Sequence, residues 1–477
     1  MATSIREAAA AVRRDVVTPA ERAARGKKAR SALPRSRHAE YDRDPTAPAP
    51  LELLSRQGAS RVPELLPIRD ERMALSPFSY FRGAALPMAS DLAGSPRTGF
   101  TVQACGDAHL SNFGLFASPE RRLVFDINDF DETLPGPWEW DVKRLAASLE
   151  IAGRDNGYTR KQRLEIVTGA VAEYRLAMRE FSGWPVLEVW YAHADVDTVR
   201  STYARQLSAA RRKKLSQTTA KARAKDNLGA LRKFTEVGGG QPRIASDPPL
   251  VVRVEDLGFP RERATAVIAE LQEMLAMYRE TLEPDRRLLL DRYRVVDFAR
   301  KVVGVGSVGT RCWMLLLLGN DDQDPLFLQA KEAGPSVLEA YLGPSAFGNS
   351  GERVVVGQRL MQAVGDIFLG WVRATGLDGE IRDFYVRQLR DWKGSADIET
   401  MDPVGMRAYG RLCGWTLARA HARTGDAIAI GSYLGSGPCF DRAIGEFARV
   451  YADQNERDHA ALADAVRDRA TSPGGGK

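Results

Sequence analysis

Residues 101–131 constrain this chain more than any other stretch. Thr101 to Cys105 reads as a short strand feeding the polar loop Gly106-Asp107-Ala108-His109-Leu110-Ser111-Asn112. A hairpin follows, Phe113 to Phe116 and Leu123 to Ile127 around Ser118-Pro119-Glu120-Arg121, and delivers a second polar run, Asn128-Asp129-Phe130-Asp131. Any fold must therefore bring two acidic loops to one end of a small antiparallel unit. An Asp with an Asn five residues on, then a second Asp beyond a hairpin, suits phosphoryl transfer. The first Asp can accept a proton from a substrate hydroxyl, and the Asn and later Asp can hold Mg²⁺ on nucleotide phosphates.

Composition limits the alternatives. A chain of 477 residues has room for two or three packed units, and 44% hydrophobic with 27% charged residues describes a soluble globular protein. The longest apolar run, Cys312 to Leu318, is strand-sized, so no membrane partner is expected. The N-terminus is charged at Arg6, Glu7, Arg13, Arg14 and Asp15 and lacks a secretory h-region, which predicts a cytoplasmic protein. Cys105, Cys312, Cys413 and Cys439 are scattered, indicating neither a zinc site nor a disulfide framework. Residues 201–234 carry ten Lys/Arg against Asp226 alone, a local +9 within a chain of +6. No aromatic residues interleave these charges for base stacking. A solvated helical face is therefore preferred to a phosphate- or RNA-facing surface, and no specific nucleic acid is expected as a partner.

Punctuation divides the chain. Residues 1–50 read as a basic, poorly ordered tail, and 51–290 as a catalytic region with a helical segment. A strand-rich region spans 291–395, a helical region spans 396–469, and 470–477 are flexible. Ser76-Pro77 starts a helix-like stretch through Leu92, and Asp141 opens an amphipathic helix. Helical patterns then dominate to about Arg292, interrupted by the Gly238-Gly239-Gly240 loop and Pro248-Pro249. Asp402-Pro403 begins a helix running to Gly425, and a last helical block covers Phe440 to Arg469.

The strand-rich region holds a second constellation. Gly304-Val305-Gly306-Ser307-Val308-Gly309 fits GxGxxG, which dinucleotide folds and kinases share. A dinucleotide turn must open a helix. Here the glycines lead instead into Thr310 to Leu318, the turn Gly319-Asn320-Asp321-Asp322, and the strand Leu326 to Lys331. Strand, glycine loop, strand, turn and strand with lysine is the kinase arrangement, in which the lysine pairs with the nucleotide phosphates. Period-two geometry puts Phe327, Gln329 and Lys331 on one face and aims Lys331 into the cleft. Its carboxylate partner is expected from a neighbouring helix, with Glu339 and Glu352 as candidates. Arg69, Arg72 and Arg82 have two readings: helix-surface ion pairs, the default, or contacts with phosphate oxygens. The default for His421 is a structural histidine, and for Trp138 and Trp140 a place in the core.

The Gly106 to Asn112 loop resembles the catalytic loop of the aminoglycoside phosphotransferase and choline kinase group, which has the protein-kinase-like fold. More closely, Cys105 to Gly114, Phe125 to Glu132 and Trp138 to Leu145 resemble a bacterial domain-of-unknown-function family numbered 2252, over nearly the whole chain after residue 25. The kinase likeness covers the two constellations alone. It implies a fold in circularly permuted order, with the ATP-lobe segment following most of the catalytic lobe. It further implies Asp107 as catalytic base, His109 as the histidine two residues after it, and Asn112 as a metal ligand. Asp129 is implied as the second metal ligand in preference to Asp126, whose separation from Asn112 also fits. Asp141 would be structural, accepting hydrogen bonds from the catalytic-loop backbone. Gly304, Gly306, Ser307, Gly309 and Lys331 would bind the phosphates of ATP. Cys105 stands where those kinases usually have His.

The resulting expectation is an α+β, two-lobed, kinase-like protein with a large helical lobe and a smaller antiparallel-sheet lobe. ATP and Mg²⁺ are its expected cofactors, and a hydroxyl-bearing acceptor, a small molecule in preference to a protein, its substrate. Competing functions are a nucleotide-binding pseudoenzyme acting by protein interaction, nucleic-acid association through 201–234, and transfer of AMP by the same site.

Overall fold

The computed structural model describes residues 17–197, 209–238, 240–302, 304–376, 378–389 and 392–471. Residues 1–16 of the expected tail, 201–208 of the basic segment and 472–477 lie outside the described residues. The fold is mixed α+β. A helical body surrounds the helix Trp138–Asp155, packed by Arg160–Phe181, Pro403–Thr424 and Cys439–Thr471. Asp402 caps Pro403–Thr424, accepting from Gly405 N at 2.7 Å with proline in the first turn. The central helix is buried on every side from Trp138 to Gly153, not amphipathic as its pattern suggested. Neighbouring helices cover its polar positions too, and Asp141 and Arg144 find partners in a loop instead of water.

An antiparallel six-stranded sheet forms the second layer. Its strands lie in the order Gly370–Thr375, Ile381–Gln388, Pro325–Ala333, Cys312–Leu318, Arg294–Lys301 and Val251–Arg253. Cys312–Leu318 is apolar at nearly every position because both faces of this central strand are covered. Trp313, Leu315 and Leu317 pack with Val267, Leu271, Met274 and Tyr278, the helical stripe of Arg261–Arg279. Met314, Leu316 and Leu318 pack on the other side with Leu231, Phe234 and Ile244. Part of the expected helical segment therefore belongs to the sheet.

Other expectations change locally. At the expected Gly238-Gly239-Gly240 loop, Thr235–Gly238 pairs antiparallel with Gln241–Ile244; Gly239 lies outside the described residues. The tail contains a helix, Pro19–Ala32, closed by a Thr18–Glu21 capping box and laid against Ala427–Leu434. Gly26 makes this approach possible, since a Cβ there would come within 2.2 Å of the Ala429 carbonyl oxygen. A break at Ala84 splits the stretch from Ser76 into Pro77–Gly83 and Ala85–Ala93. No helix among the described residues is long and apolar enough to cross a membrane.

Candidate functional site

The expected hairpin forms, Phe113–Ala117 against Leu123–Ile127. Thr101–Ala104 pairs with Leu134–Pro137 and leads into the polar loop. The chain turns at Gly106 with φ +79°, and a Cβ there would meet the Glu132 carbonyl oxygen at 2.3 Å. Only glycine meets both demands. The buried Asp141 carboxylate accepts from Cys105 N at 2.8 Å and Gly106 N at 3.0 Å. His421 Nε2 lies 3.1 Å from the same carboxylate, and its Nδ1 lies 2.9 Å from the Tyr174 hydroxyl. His421 is thus a structural histidine that steadies Asp141.

Beyond this anchor, Asp107 faces a cavity. Its Oδ1 is paired with Arg144, and Asn112 Nδ2 donates to its backbone carbonyl at 2.8 Å. His109 Nδ1 accepts from Ser111 N at 3.2 Å, which leaves the proton of a neutral ring on Nε2, 3.6 Å from Asp107 Oδ2. Burial, reinforced by Arg144 and Arg82, holds His109 well below the usual histidine range. Burial pushes Asp107 up while Arg144 opposes it.

The two metal candidates separate. Asp126 is buried, paired with Arg419, and accepts from Ile127 N at 2.9 Å and Ala363 N at 3.3 Å. It does not line the cavity, whereas Asp129 does. Burial and the neighbouring Asp131 raise Asp129, against the pull of Lys331 and Arg387. Asp131 is also desolvated, but Lys331 and Tyr385 bring it below the ordinary carboxylate range.

Lys331 pairs with Asp131, which also accepts from the Tyr385 hydroxyl at 2.7 Å. The partner is therefore an aspartate of the second polar run, neither Glu339 nor Glu352. Glu339 accepts from Ser336 N at 2.9 Å and Ser345 N at 3.1 Å. Glu352 sits in the first turn of Ser350–Met361, away from the cavity lining. The next residue, Arg353, is turned inward and donates to the backbone carbonyls of Thr133 at 2.7 Å and of Asp131 and Gly334 at 2.8 Å. With a cation gripping the loop backbone from this helix, the carboxylate comes from the loop itself.

The glycine loop closes the opposite wall. Gly304 and Gly309 have φ of +69° and +91°. Arg72 donates to the Gly304 carbonyl at 2.7 Å, Arg61 donates to that of Val308, and Val62 N donates to that of Gly309 at 2.8 Å. Ser307 Oγ lies 3.5 Å from Asp131 Oδ2. Asp107, His109, Asn112, Asp129, Gly304, Gly306 and Ser307 all line one cavity, with Lys331 behind its Asp131 edge. Gly309, Asp126, Glu339 and Glu352 stay outside that lining. Among the described residues, no group of three or more His, Cys, Asp or Glu side chains is arranged as a metal cage. Lys213, Lys221 and Arg223 of the basic helix Ala209–Arg223 do not line the cavity.

Arg144, Tyr385 and Arg353 are not singled out by the sequence, and Asp131 stands there only as one acid of the second polar run, with no pairing to Lys331 foreseen. Arg144 carried a usable signal, since it follows Asp141 by one helical turn and shares its face. Tyr385 carried none.

A charged cleft between a helical body and an antiparallel sheet, built from two acidic loops and a glycine loop, defines the class of protein. The chain belongs to the family described as "Uncharacterized protein conserved in bacteria (DUF2252)", whose model matches residues 61–465. No curated protein and no solved structure matches it.

Proposed function

We propose that this protein is a kinase-like phosphotransferase moving the γ-phosphoryl group of ATP to the hydroxyl of a small molecule, with its ATP lobe in circularly permuted order. One observation carries the reading. Lys331 and Asp131 are 200 residues apart in sequence yet form an ion pair at the cleft where the glycine loop meets Asp107. A glycine loop between the first two strands from Arg294, a lysine on the third and a helix after it also support an ATP lobe.

The donor set suits Mg²⁺. Asn112 commits its amide nitrogen to Asp107, which leaves Oδ1 as a neutral oxygen ligand beside the Asp129 carboxylate. Two protein oxygens completed by phosphate and water are a usual magnesium site. When bound, the ion neutralises charge on the phosphates. Asp107 takes the acceptor's hydroxyl proton as the new oxygen–phosphorus bond forms, the β,γ-bridging bond breaks, and ADP leaves. Arg144 fixes the orientation of that carboxylate, and neutral His109 beside it adds no competing positive charge. Lys331 and the glycine loop position the phosphates. Residues 50–93 wall the cavity with Gln57, Arg61 and Arg82, which favours a compact acceptor.

The test is turnover of Mg·ATP against a metabolite pool, with the transferred group identified. Wild type should release ADP and yield a phosphorylated product. Asp107→Asn should keep nucleotide affinity and lose about 10²–10⁴-fold in turnover. AMP on the product would replace phosphoryl with nucleotidyl transfer. Binding without turnover would assign the protein an interaction role instead.

A further inference from the structure

The three arginines ahead of the catalytic loop have distinct surroundings, and none forms an ion pair among the described residues. Arg69 is buried and donates to Gln57 Oε1 at 2.7 Å, while Arg72 is taken up by the Gly304 carbonyl. Arg82 lines the cavity, and its side chain has no hydrogen-bond or ion-pair partner among the described residues; its Nε is enclosed, so a ligand in the cavity is met by the terminal nitrogens. Its main chain abuts the glycine loop: a Cβ on Gly306 would lie 3.0 Å from the Arg82 carbonyl oxygen. Its positive charge acts on Asp107 and His109. Arg144 already pairs with Asp107, so the base does not need Arg82 for neutralisation.

We propose that Arg82 donates to the oxyanion of the phosphoryl group in transit between ATP and the acceptor. The inference rests on the phosphotransferase reading and assigns a further catalytic residue to it. A guanidinium at a cavity wall whose terminal nitrogens the protein leaves unmatched can form charge-assisted hydrogen bonds to an anionic ligand there. The space between the phosphate-covering loop and the proton acceptor is where the transferred group's equatorial oxygens gather charge. A guanidinium there stabilises the transition state more than bound ADP.

The experiment compares wild type, Arg82→Ala and Arg82→Lys for binding of Mg·ADP, binding of Mg·ADP with aluminium fluoride, Mg·ATP turnover and thermal unfolding. Arg82→Ala should bind Mg·ADP within about twofold of wild type. It should also lose tenfold or more in affinity for the fluoride complex and about 10²–10³-fold in turnover. Arg82→Lys, keeping a positive charge, should recover part of both losses. Unchanged fluoride preference in Arg82→Ala overturns the inference, including when transfer alone falls, since that pattern belongs to acceptor binding. A matched loss of ADP and fluoride-complex affinity with a lowered unfolding midpoint also overturns it, because the role is then structural. Wild type that binds no Mg·ADP overturns the underlying phosphotransferase reading, a failure visible before any substitution is made.

Discussion

The two loops that face each other across the cavity are secured by different means. The Asp107 loop is tied through side chains in the interior: Asp141 holds two of its backbone amides, and His421 and Tyr174 hold Asp141. The glycine loop is partly exposed, and Arg72 and Arg61 grip only its carbonyl oxygens. Breaking the first set leaves amides and a carboxylate buried without partners, whereas at the second the exposed Gly304 carbonyl can turn to water while the Arg61–Val308 bond stays buried. The cavity therefore has one fixed wall and one wall able to open locally. That division suits a site whose proton acceptor must stay oriented while nucleotide enters and leaves.

The strongest way to break the comparison is at the fixed wall. Asp141→Ala should cost on the order of 3–5 kcal/mol, since it orphans two buried amides and His421 together. Denaturant unfolding measures this, and a loss below about 1 kcal/mol would mean the wall is not held as described. Asp126→Ala, which strands Arg419 in the interior, should fall in the same range. Neither residue touches the cavity, so these effects on stability are separable from the Asp107→Asn effect on turnover.

A smaller effect comes from Glu132, which lines the cavity between the walls. Burial pushes its carboxyl up to about 7, against the Val337 amide and Arg353. A glutamate in the unfolded chain titrates near 4.3, so between about 4.3 and 7 the folded state keeps a proton that the unfolded state has released. Stability from this group accordingly falls as pH rises through that window. Glu132→Gln should remove the slope and become more stable than wild type by on the order of 1–3 kcal/mol above pH 7. Unfolding curves collected from pH 4.5 to 8 read the difference directly, and parallel pH profiles would refute it.

These contrasts also explain what was legible in the sequence. The 101–131 unit could be read because its strands, turn and glycine are local demands, and the hairpin register matches the expected boundaries closely. Lys331 could be placed by strand periodicity, but its partner could not. The pairing with Asp131 depends on how the sheet meets the helical body, and on Arg353 instead of Glu352 turning inward. Asp126 and Asp129 are equally acidic in sequence and diverge only because Arg419, on a helix 293 residues away, reaches Asp126. The ordered helix Pro19–Ala32 was missed because a low-hydrophobicity segment gives little local signal. Its docking rests on Gly26 and on arginines reaching carbonyls at the end of Ala427–Leu434, with Arg30 Nε 2.8 Å from the Tyr433 oxygen.

The smallest effect sharpens the comparison from the movable wall. Arg72 donates from an exposed setting to the Gly304 carbonyl, a bond that water can replace. Arg72→Ala should therefore cost global stability only about 0.5–1 kcal/mol. Its signature should be local. Amide hydrogen exchange in residues 304–310 should accelerate about two- to fivefold, the rate equivalent of that energy, while residues 105–112 keep wild-type protection. Nucleotide affinity should fall by a similar small factor, because the loop must then be ordered on binding. Equal acceleration on both sides of the cavity would show that the two walls open as one unit. No acceleration on either side would show that Arg61 and Val62 hold the glycine loop without Arg72.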